Sequence, residues 1–320
     1  MRSRLSAILA AAVLGACVVA PLAARADTAS AYNLFVLGDM NVHSSDTEGR
    51  VAVKGNATLG SYSVGTRASS STANLEVGGN LVAHGGSTNG NTIVGGTTNY
   101  QNWSTAGLEA AGTPLTVNFA AETTRLDWLT TDLAGYAQNG TVSIPPWGDQ
   151  YTLTGTNSTL NVFDLSGAQL AQTNTLTINL TPGSIALINV SGSADSFSNA
   201  GITINGGNAS DVLWNFSQAT TLSFSGISMQ GSVLAPNANY LGGWGQLNGE
   251  LIVKSFSDTL GATQINNENP FIGNLLNMTQ PLADSVQNAI PEPESWALMI
   301  FGFGVVGAVA RRRRRVARLA

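Results

Sequence analysis

The chain has 320 residues, with 14 Lys and Arg against 19 Asp and Glu, a formal net charge of −5 and a single cysteine. Hydrophobic residues make up 43% and charged residues only 10%, which excludes a disordered chain. The lone cysteine excludes a disulfide-stapled scaffold, and the acidic balance excludes a protein that holds nucleic acid by charge.

In chain order, the first segment reads as an export signal. Arg2 and Arg4 precede an apolar run from Leu5 to Ala20, and Ala24-Arg25-Ala26 has the small-x-small pattern of a signal-peptidase site. Cleavage after Ala26 starts the mature chain at Asp27 and removes Cys17. Leu14-Gly15-Ala16-Cys17 is a competing lipobox-like site, but the apolar run continues past Cys17, which favours Ala26. Three basic residues precede Asp27 and six follow Ser295. The exported body therefore keeps Arg50, Lys54, Arg67, Arg125 and Lys254 against all 19 acidic residues, a charge of −14. Such a surface repels phosphates and stays soluble outside the cell.

Val51-Ala-Val-Lys-Gly-Asn56 recurs 24 residues later as Leu75-Glu-Val-Gly-Gly-Asn80, and Thr92-Ile-Val-Gly-Gly96 is a looser copy. Each reads as one strand closed by a turn in which Gly supplies positive φ and Asn tolerates the left-handed region. Repetition at this period predicts an all-β, irregular β-solenoid; a β-sandwich with similar turns is the alternative. One segment departs from the pattern. From Asn118 to Gln138 the apolar residues Phe119, Leu126, Leu129, Leu133 and Tyr136 are mostly three and four apart, which predicts one long helix of about five turns packed alongside the solenoid. Asn118 caps its start and Asn139-Gly140 closes its end. Ten short strands follow at roughly ten-residue spacing, from Thr141–Ile144 to Gly249–Val253. Leu276 to Ile290 reads as a stalk.

The last thirty residues form a sorting tail. Pro291-Glu292-Pro293-Glu294-Ser295 leads into an apolar stretch, Trp296 to Ala310, which ends in Arg311 to Arg315. At about fifteen residues the stretch falls short of the roughly 20 that span a bilayer comfortably, and the arginines mark the cytoplasmic side. The layout resembles the PEP-CTERM sorting signal of Gram-negative bacteria. That resemblance implies cleavage by an exosortase-type membrane enzyme near Pro291, Glu292 and Pro293, after a transient anchorage through the apolar helix. The division expected is signal peptide 1–26, β-rich domain 27–275, linker 276–290 and sorting tail 291–320.

Two further blocks carry a second resemblance. Asn33-Leu-Phe-Val-Leu-Gly-Asp39 continues through Ser44 to Val53, and Gly231-Ser-Val-Leu-Ala-Pro-Asn237 is joined by Leu247 to Lys254 and Asn269-Pro-Phe271. Together they resemble the choice-of-anchor A domain of bacterial surface proteins, with Lys54 a departure from its usual Gly. The order of strands, one helix and more strands is also similar to the ice-binding-type irregular β-solenoid. These resemblances imply a non-enzymatic structural or adhesive protein of the cell envelope or extracellular polysaccharide matrix. They offer no catalytic residues to carry over.

Few residues point to chemistry. Asp39, Asp46 and Glu48 are candidate Ca²⁺ ligands, since Ca²⁺ takes six to eight oxygens, but there is no Asp-x-Asp-x-Asp loop. The simpler expectation is that Asp46 and Glu48 cap turns and that Arg50 pairs with one of them. His43 and His84 stand on separate turns without a Cys or His partner nearby, so no metal centre or triad is expected. Asp149, Asp164, Asp195 and Asp211 offer carboxylates but no local motif pairs them. The aromatic residues are more suggestive. Trp147 on Pro145-Pro146-Trp147, with Tyr240 and Trp244 on a Gly-rich loop, are candidate glycan contacts, because exposed rings stack on sugar faces. Tyr100 and Trp103 are open to the same reading, or to capping the end of the solenoid core. The alternative function is thus a glycan- or ice-binding module using a flat face or these loops.

Overall fold

Short apolar rungs separated by Gly and Asn coil into a parallel β-solenoid with one long helix laid along it. The computed structural model describes residues 26–70, 73–108, 113–146 and 148–280. The amino-terminal coils contain β1 (Leu34–Val36), β2 (Met40–Val42), β3 (Ser45–Thr47), β4 (Val51–Val53), β5 (Ala57–Val64), β6 (Ala73–Val77), β7 (Leu81–Val94) and β8 (Thr98–Leu108). Helix α1 (Phe119–Ala134) follows. The second stack contains β9 (Thr141–Ser143), β10 (Gln150–Thr154), β11 (Leu160–Ser166), the short α2 (Gly167–Gln172), β12 (Thr175–Asn179), β13 (Ile185–Ser191), β14 (Ala194–Ser198) and β15 (Gly201–Asn205). It ends with β16 (Val212–Asn215), β17 (Thr221–Ser225), β18 (Ile227–Gln230), β19 (Ser232–Asn248) and β20 (Leu251–Asn266).

Three rows of strands run along the solenoid. The first is β11–β13–β16–β19–β20–β1–β4–β6–β7. The second is β14–β17–β19–β20–β2–β5–β7–β8. The third is β18–β19–β20–β3–β5–β7–β8, with the four-stranded sheet β15–β12–β10–β9 beyond it. Among the described residues the strand pairings are parallel except β9 with β10. That pattern is incompatible with the β-sandwich alternative, whose sheets are antiparallel.

The last coil is inserted mid-stack. β20 pairs with β1, β2 and β3 on one side and β19 on the other, so the two distant sequence blocks meet. Asn33 clasps them: its Nδ2 donates to Gly249 O at 2.6 Å and Asn266 O at 3.1 Å, while Gly49 N donates to its Oδ1 at 3.0 Å.

The repeat predicted from Val51 to Gly96 is a stack, with Val51, Leu75 and Thr92 in register. The reason for its Gly-Asn turns differs from the expectation. Gly55, Gly79, Gly96, Asn56 and Asn80 are not among the positive-φ residues. Gly79 is needed for close approach instead, since a Cβ there would stand 2.6 Å from Gly55 O in the coil below. The asparagines link coils, Asp39 Oδ1 accepting from Asn56 N (2.7 Å), Asn56 Oδ1 from Asn80 N (3.0 Å) and Asn80 Oδ1 from Thr97 N (2.8 Å). Each bond satisfies a turn amide that the strand ladder leaves unpaired.

Helix α1 covers the outside of the first row. Asn118 caps it by accepting from Ala121 N, as its sequence predicts. It stops at Gly135 rather than near Gln138, because Asn139 is already paired with Val162 of β11 and Gly140 lies against the Phe163 ring. Phe119, Leu126, Leu129 and Leu133 pack on Phe35, Ala52, Leu213, Leu234 and Ile252. The first-row strands are thus buried on both sides, which is why Leu34-Phe-Val and Leu251-Ile-Val read as unbroken apolar runs. A polar seam sets the helix register: Thr130 Oγ1 donates to Asn215 Oδ1 at 2.6 Å and Asn189 Nδ2 to Leu133 O at 3.0 Å.

The chain is still packed on the body at Leu276, the expected first residue of the stalk. Leu276 is buried, and Arg125 of α1 donates to Leu276 O at 2.7 Å and Met278 O at 3.1 Å. At the other end Asp27, the first residue after the expected cleavage point, bridges Val117 and pairs with Arg50 at 2.9 Å. Residues before Ala26 and after Gln280, with both sorting signals and the Trp296–Ala310 stretch, lie outside the described residues. Among the described residues no helix is long and apolar enough to cross a membrane.

Candidate functional site

The structure treats the candidate aromatic residues differently. Tyr240 is fully buried, stacked edge-on between Phe224 (5.6 Å) and Phe256 (5.2 Å) in the solenoid interior. It cannot reach a ligand, which corrects the expectation of a glycan contact there. Its neighbour Trp244 is 70% exposed. The two are separated by a corner of Gly242 and Gly243 with register shifts in the β19–β20 ladder, so the chain turns from inside to outside within four residues. Tyr100 and Trp103, both on β8, pack against the core at the end of the stack. Trp147 lies outside the described residues. Tyr240→Ala is expected to cost about 3–5 kcal/mol of stability in chemical denaturation, as for other large aromatic truncations in cores.

The candidate Ca²⁺ ligands are not gathered. Asp39 is committed to Asn56, Asp46 accepts from Thr66 at 3.4 Å, and Glu48 holds Arg67 at 2.9 Å and Asn267 N at 3.0 Å. Burial pushes the Asp46 carboxyl above its usual range. Among the described residues no group of three His, Cys, Asp or Glu side chains is placed to hold a metal ion. Arg50 also departs from the expectation: its partners are Asp27 and Glu76, while Glu48 is held by Arg67. His43 pairs with Asp258 at 3.1 Å on the surface, and His84 is exposed on β7. Asp211 closes a capping box with Asn208, Asp149 accepts from Asn174, Asp195 is buried and Asp164 is exposed; none of the four shares a hydrogen bond with another.

What the structure does assemble is a regular array of short polar side chains. In the sheet β9–β10–β12–β15, Tyr151, Leu153, Leu176 and Ile178 face the core. Their alternates face out, and pairing puts Ser143, Thr152, Thr177 and Thr203 in one row and Thr141, Thr154, Asn179 and Asn205 in the next. Asn205 Nδ2 donates to Asn179 Oδ1 at 2.8 Å along the second row. No register shift interrupts the parallel part of this sheet. Neighbouring members of a row are therefore about 4.8 Å apart and the rows roughly 7 Å apart. Threonine is stiff at χ1, so the hydroxyls and methyls are held in place before any contact is made.

The ladder is not apparent in any single segment. Its signal is Gln150-Tyr-Thr-Leu-Thr, Thr175-Leu-Thr-Ile-Asn and Gly201-Ile-Thr-Ile-Asn, a recurrence at 25 and then 26 residues whose meaning depends on coil stacking.

Beside this sheet, on the third row, lies an open trough of about 590 Å³. Side-chain amides form its floor. Gln230, Gln246 and Asn248 each donate to Ser228 Oγ at 2.9–3.0 Å, and Asn266 Nδ2 donates to Asn248 Oδ1 at 2.7 Å. Arg67, held between Glu48 and Glu268, stands on its rim.

Residues 25–267 match the sequence profile of the ice-binding-like adhesive domain, and residues 289–315 match the PEP-CTERM protein-sorting motif. No curated protein matches the chain. Among solved structures it is similar to the ice-binding protein 1 DUF3494 domain of Shewanella frigidimarina, at 15% identity and TM-score 0.43, over 74% of this chain and 94% of that one. It is also similar to a glycosylated ice-binding protein from an Arctic yeast (12% identity, TM-score 0.35, 79% and 96% covered). An ice-binding protein from an Antarctic biological consortium is a third (15%, 0.34, 79% and 95%).

Proposed function

The chain belongs to the ice-binding-like adhesive domain family, and from that premise we propose that it is an exported, surface-sorted, non-enzymatic adhesive protein. Its contact surface is the Ser/Thr/Asn ladder of β9, β10, β12 and β15. The observation that carries this reading is the ladder's regularity: two rows of short polar side chains, the first mostly stiff threonines, in uninterrupted register on the outer face of a sheet. A surface ordered in advance loses little conformational entropy on contact, so weak individual hydrogen bonds add up.

Sorting completes the reading. Signal peptidase acts after Ala26, the apolar stretch Trp296 to Ala310 holds the chain in the inner membrane, and an exosortase-type enzyme cuts near Pro291, Glu292 and Pro293. The body, residues 27–275 with the linker 276–290, is then left at the cell surface or in extracellular polysaccharide of a Gram-negative bacterium. The choice-of-anchor A resemblance fits such a body, a domain carried by one of several interchangeable anchors. The test is attachment. Cells producing the full chain are expected to adhere to a polysaccharide-coated surface several-fold better than cells lacking it; equal adherence would sink the reading.

A second reading, ice binding, uses the same ladder and is favoured by its two-dimensional regularity. Purified protein is then expected to slow ice recrystallisation, and Thr177→Ala with Thr203→Ala to abolish the effect. Recrystallisation at the rate of a buffer control would remove ice as the ligand and leave adhesion to other surfaces.

A further inference from the structure

We propose that the amide-lined trough of the third row is a saccharide site for a neutral, hydroxyl-rich glycan, with Trp244 as its stacking platform. The inference deepens the adhesive reading and rests on it for the class of ligand, but it places binding on different residues from the ladder.

The chemistry of the lining selects the ligand. Gln230, Gln246, Asn248, Gln264, Asn266 and Asn269 all border the trough. Each amide offers both donors and an acceptor, the combination that a sugar hydroxyl, itself donor and acceptor, can satisfy in pairs. Among the described residues the charges on the rim are Glu48, Glu268 and Arg67, and both carboxylates are already paired with the guanidinium. Two carboxylates against one guanidinium leave a slightly negative rim within a body of charge −14, which disfavours uronic acids, sulfated glycans and nucleic acids.

The site is also built rather than incidental. Ser228 Oγ fixes three amides, and Asn266, 8% exposed, ties a fourth position to Asn248 while its own Oδ1 has no protein partner. These side chains have therefore lost their rotamer freedom before a ligand arrives, which lowers the entropic cost of binding.

Trp244 lies two residues before Gln246 on β19, so at most about 7 Å of chain separates the ring's backbone from the first amide. Its indole is seated, not loose. A Cβ at Gly261 would come within 3.0 Å of the indole Cδ1 and Nε1, so only glycine lets the ring rest this close to β20. An indole 70% exposed, two residues along β19 from the first amide of the trough, offers a π-face to the C–H face of a pyranose while the amides take its hydroxyls. A second hollow of about 320 Å³, which shares Gln230 and Asn269 and is floored by Ile202 and Ile204, prolongs the trough. The combined volume suits an oligosaccharide rather than a single sugar.

The test is titration of the full-length protein with neutral gluco-, galacto- and manno-oligosaccharides, with an oligouronate as the acidic control. At least one neutral series is expected to bind, and the oligouronate to bind at least tenfold more weakly. Trp244→Ala and Asn248→Ala are expected to weaken binding about tenfold, Trp244→Phe to retain most of it, and Thr124→Ala, on the exposed side of α1, to leave it unchanged. Melting curves establish that each variant is folded. No binding of any neutral series would overturn the proposal, as would equal affinity of folded Trp244→Ala and Asn248→Ala or a preference for the oligouronate. Adherence measured in parallel separates the two readings. Cells that adhere while the protein binds no neutral sugar overturn the trough and leave the adhesive reading. Sugar binding that falls with Trp244→Ala upholds the trough even if cells carrying the protein do not adhere.

Discussion

Replacing Glu76 by Ala is expected to lower the unfolding free energy by about 3–5 kcal/mol, among the largest effects of any single substitution in the body. The residue sits in the middle of the repeat Leu75-Glu76-Val77, where strand alternation alone would place it on a solvent face. In the fold it is fully buried. Its carboxylate accepts from Tyr32 Oη at 2.7 Å and from Thr116 N at 2.7 Å, and it pairs with Arg50 at 3.1 Å. Arg50 in turn holds Asp27 at 2.9 Å, donates to Ala73 O at 3.0 Å and lies 4.4 Å above the Tyr32 ring. Removing Glu76 thus leaves a largely buried guanidinium without its inner partner and frees both the first segment and the approach to α1. Denaturant titration by circular dichroism reads the loss directly, and a melting temperature lower by about 10 °C is expected for a body of this size. Glu268→Ala is the contrast. Its side chain is 54% exposed and its partner Arg67 57%, so loss of this pair is expected to cost less than about 1 kcal/mol. A Glu76→Ala protein as stable as Glu268→Ala would contradict this account of how the ends are tied down.

Stability is also expected to fall as pH rises across neutrality, opposite to the usual effect of carboxylates that are ion-paired in the fold. Glu250 is 3% exposed, and one of its carboxyl oxygens has no partner. Burial pushes its pKa from 4.5 up to about 8, although Phe271 N and Ser232 donate to it. Below about pH 4.5 folded and unfolded chains both hold the proton, so this contribution is fully present. Between about 4.5 and 8 only the folded chain holds it, so each unit of pH removes up to about 1.4 kcal/mol. Above 8 the loss is complete. From pH 5 to 8.5 the unfolding free energy is expected to drop by about 4 kcal/mol from this residue. Burial raises Asp195 in the same direction and steepens the slope. Glu250→Gln, neutral at every pH, is expected to remove most of the slope while leaving stability near pH 5 little changed. A Glu250→Gln protein with the same pH slope as the wild type would assign the effect elsewhere.

Several of these features were legible in the residues and several were not, for physical reasons. The amino-terminal repeat and the helix show in periodicity because each is local: a Val-x-Val rung meets its copy one coil later, and the Leu126-Leu129-Leu133 stripe lies within one element. The sorting tail is legible because it is a linear motif. The ladder is not, since each strand contributes one residue to each row and the row runs across the chain; Thr152, Thr177 and Thr203 become neighbours only through coiling. Tyr240 and Trp244 share one Gly-rich stretch, and nothing in its composition says that the chain crosses from core to surface between them. Glu76 was hidden by the same kind of limit. Its face of the strand looks exposed until residues near Thr116 fold over it. Strands such as Ala194–Ser198 and Ile227–Gln230 escape notice because their outward serines and the flanking Gly dilute the apolar alternation.

The central claim is that contact is made by the ladder face. The most direct measurement is surface attachment of cells producing the full chain with Thr152, Thr177 and Thr203 all changed to Ala. Each change lies on the outer face of a sheet, so its cost to folding stays within about 1 kcal/mol. The account predicts a folded, surface-displayed protein whose cells attach no better than cells lacking it. Undiminished attachment by the displayed triple variant would contradict it.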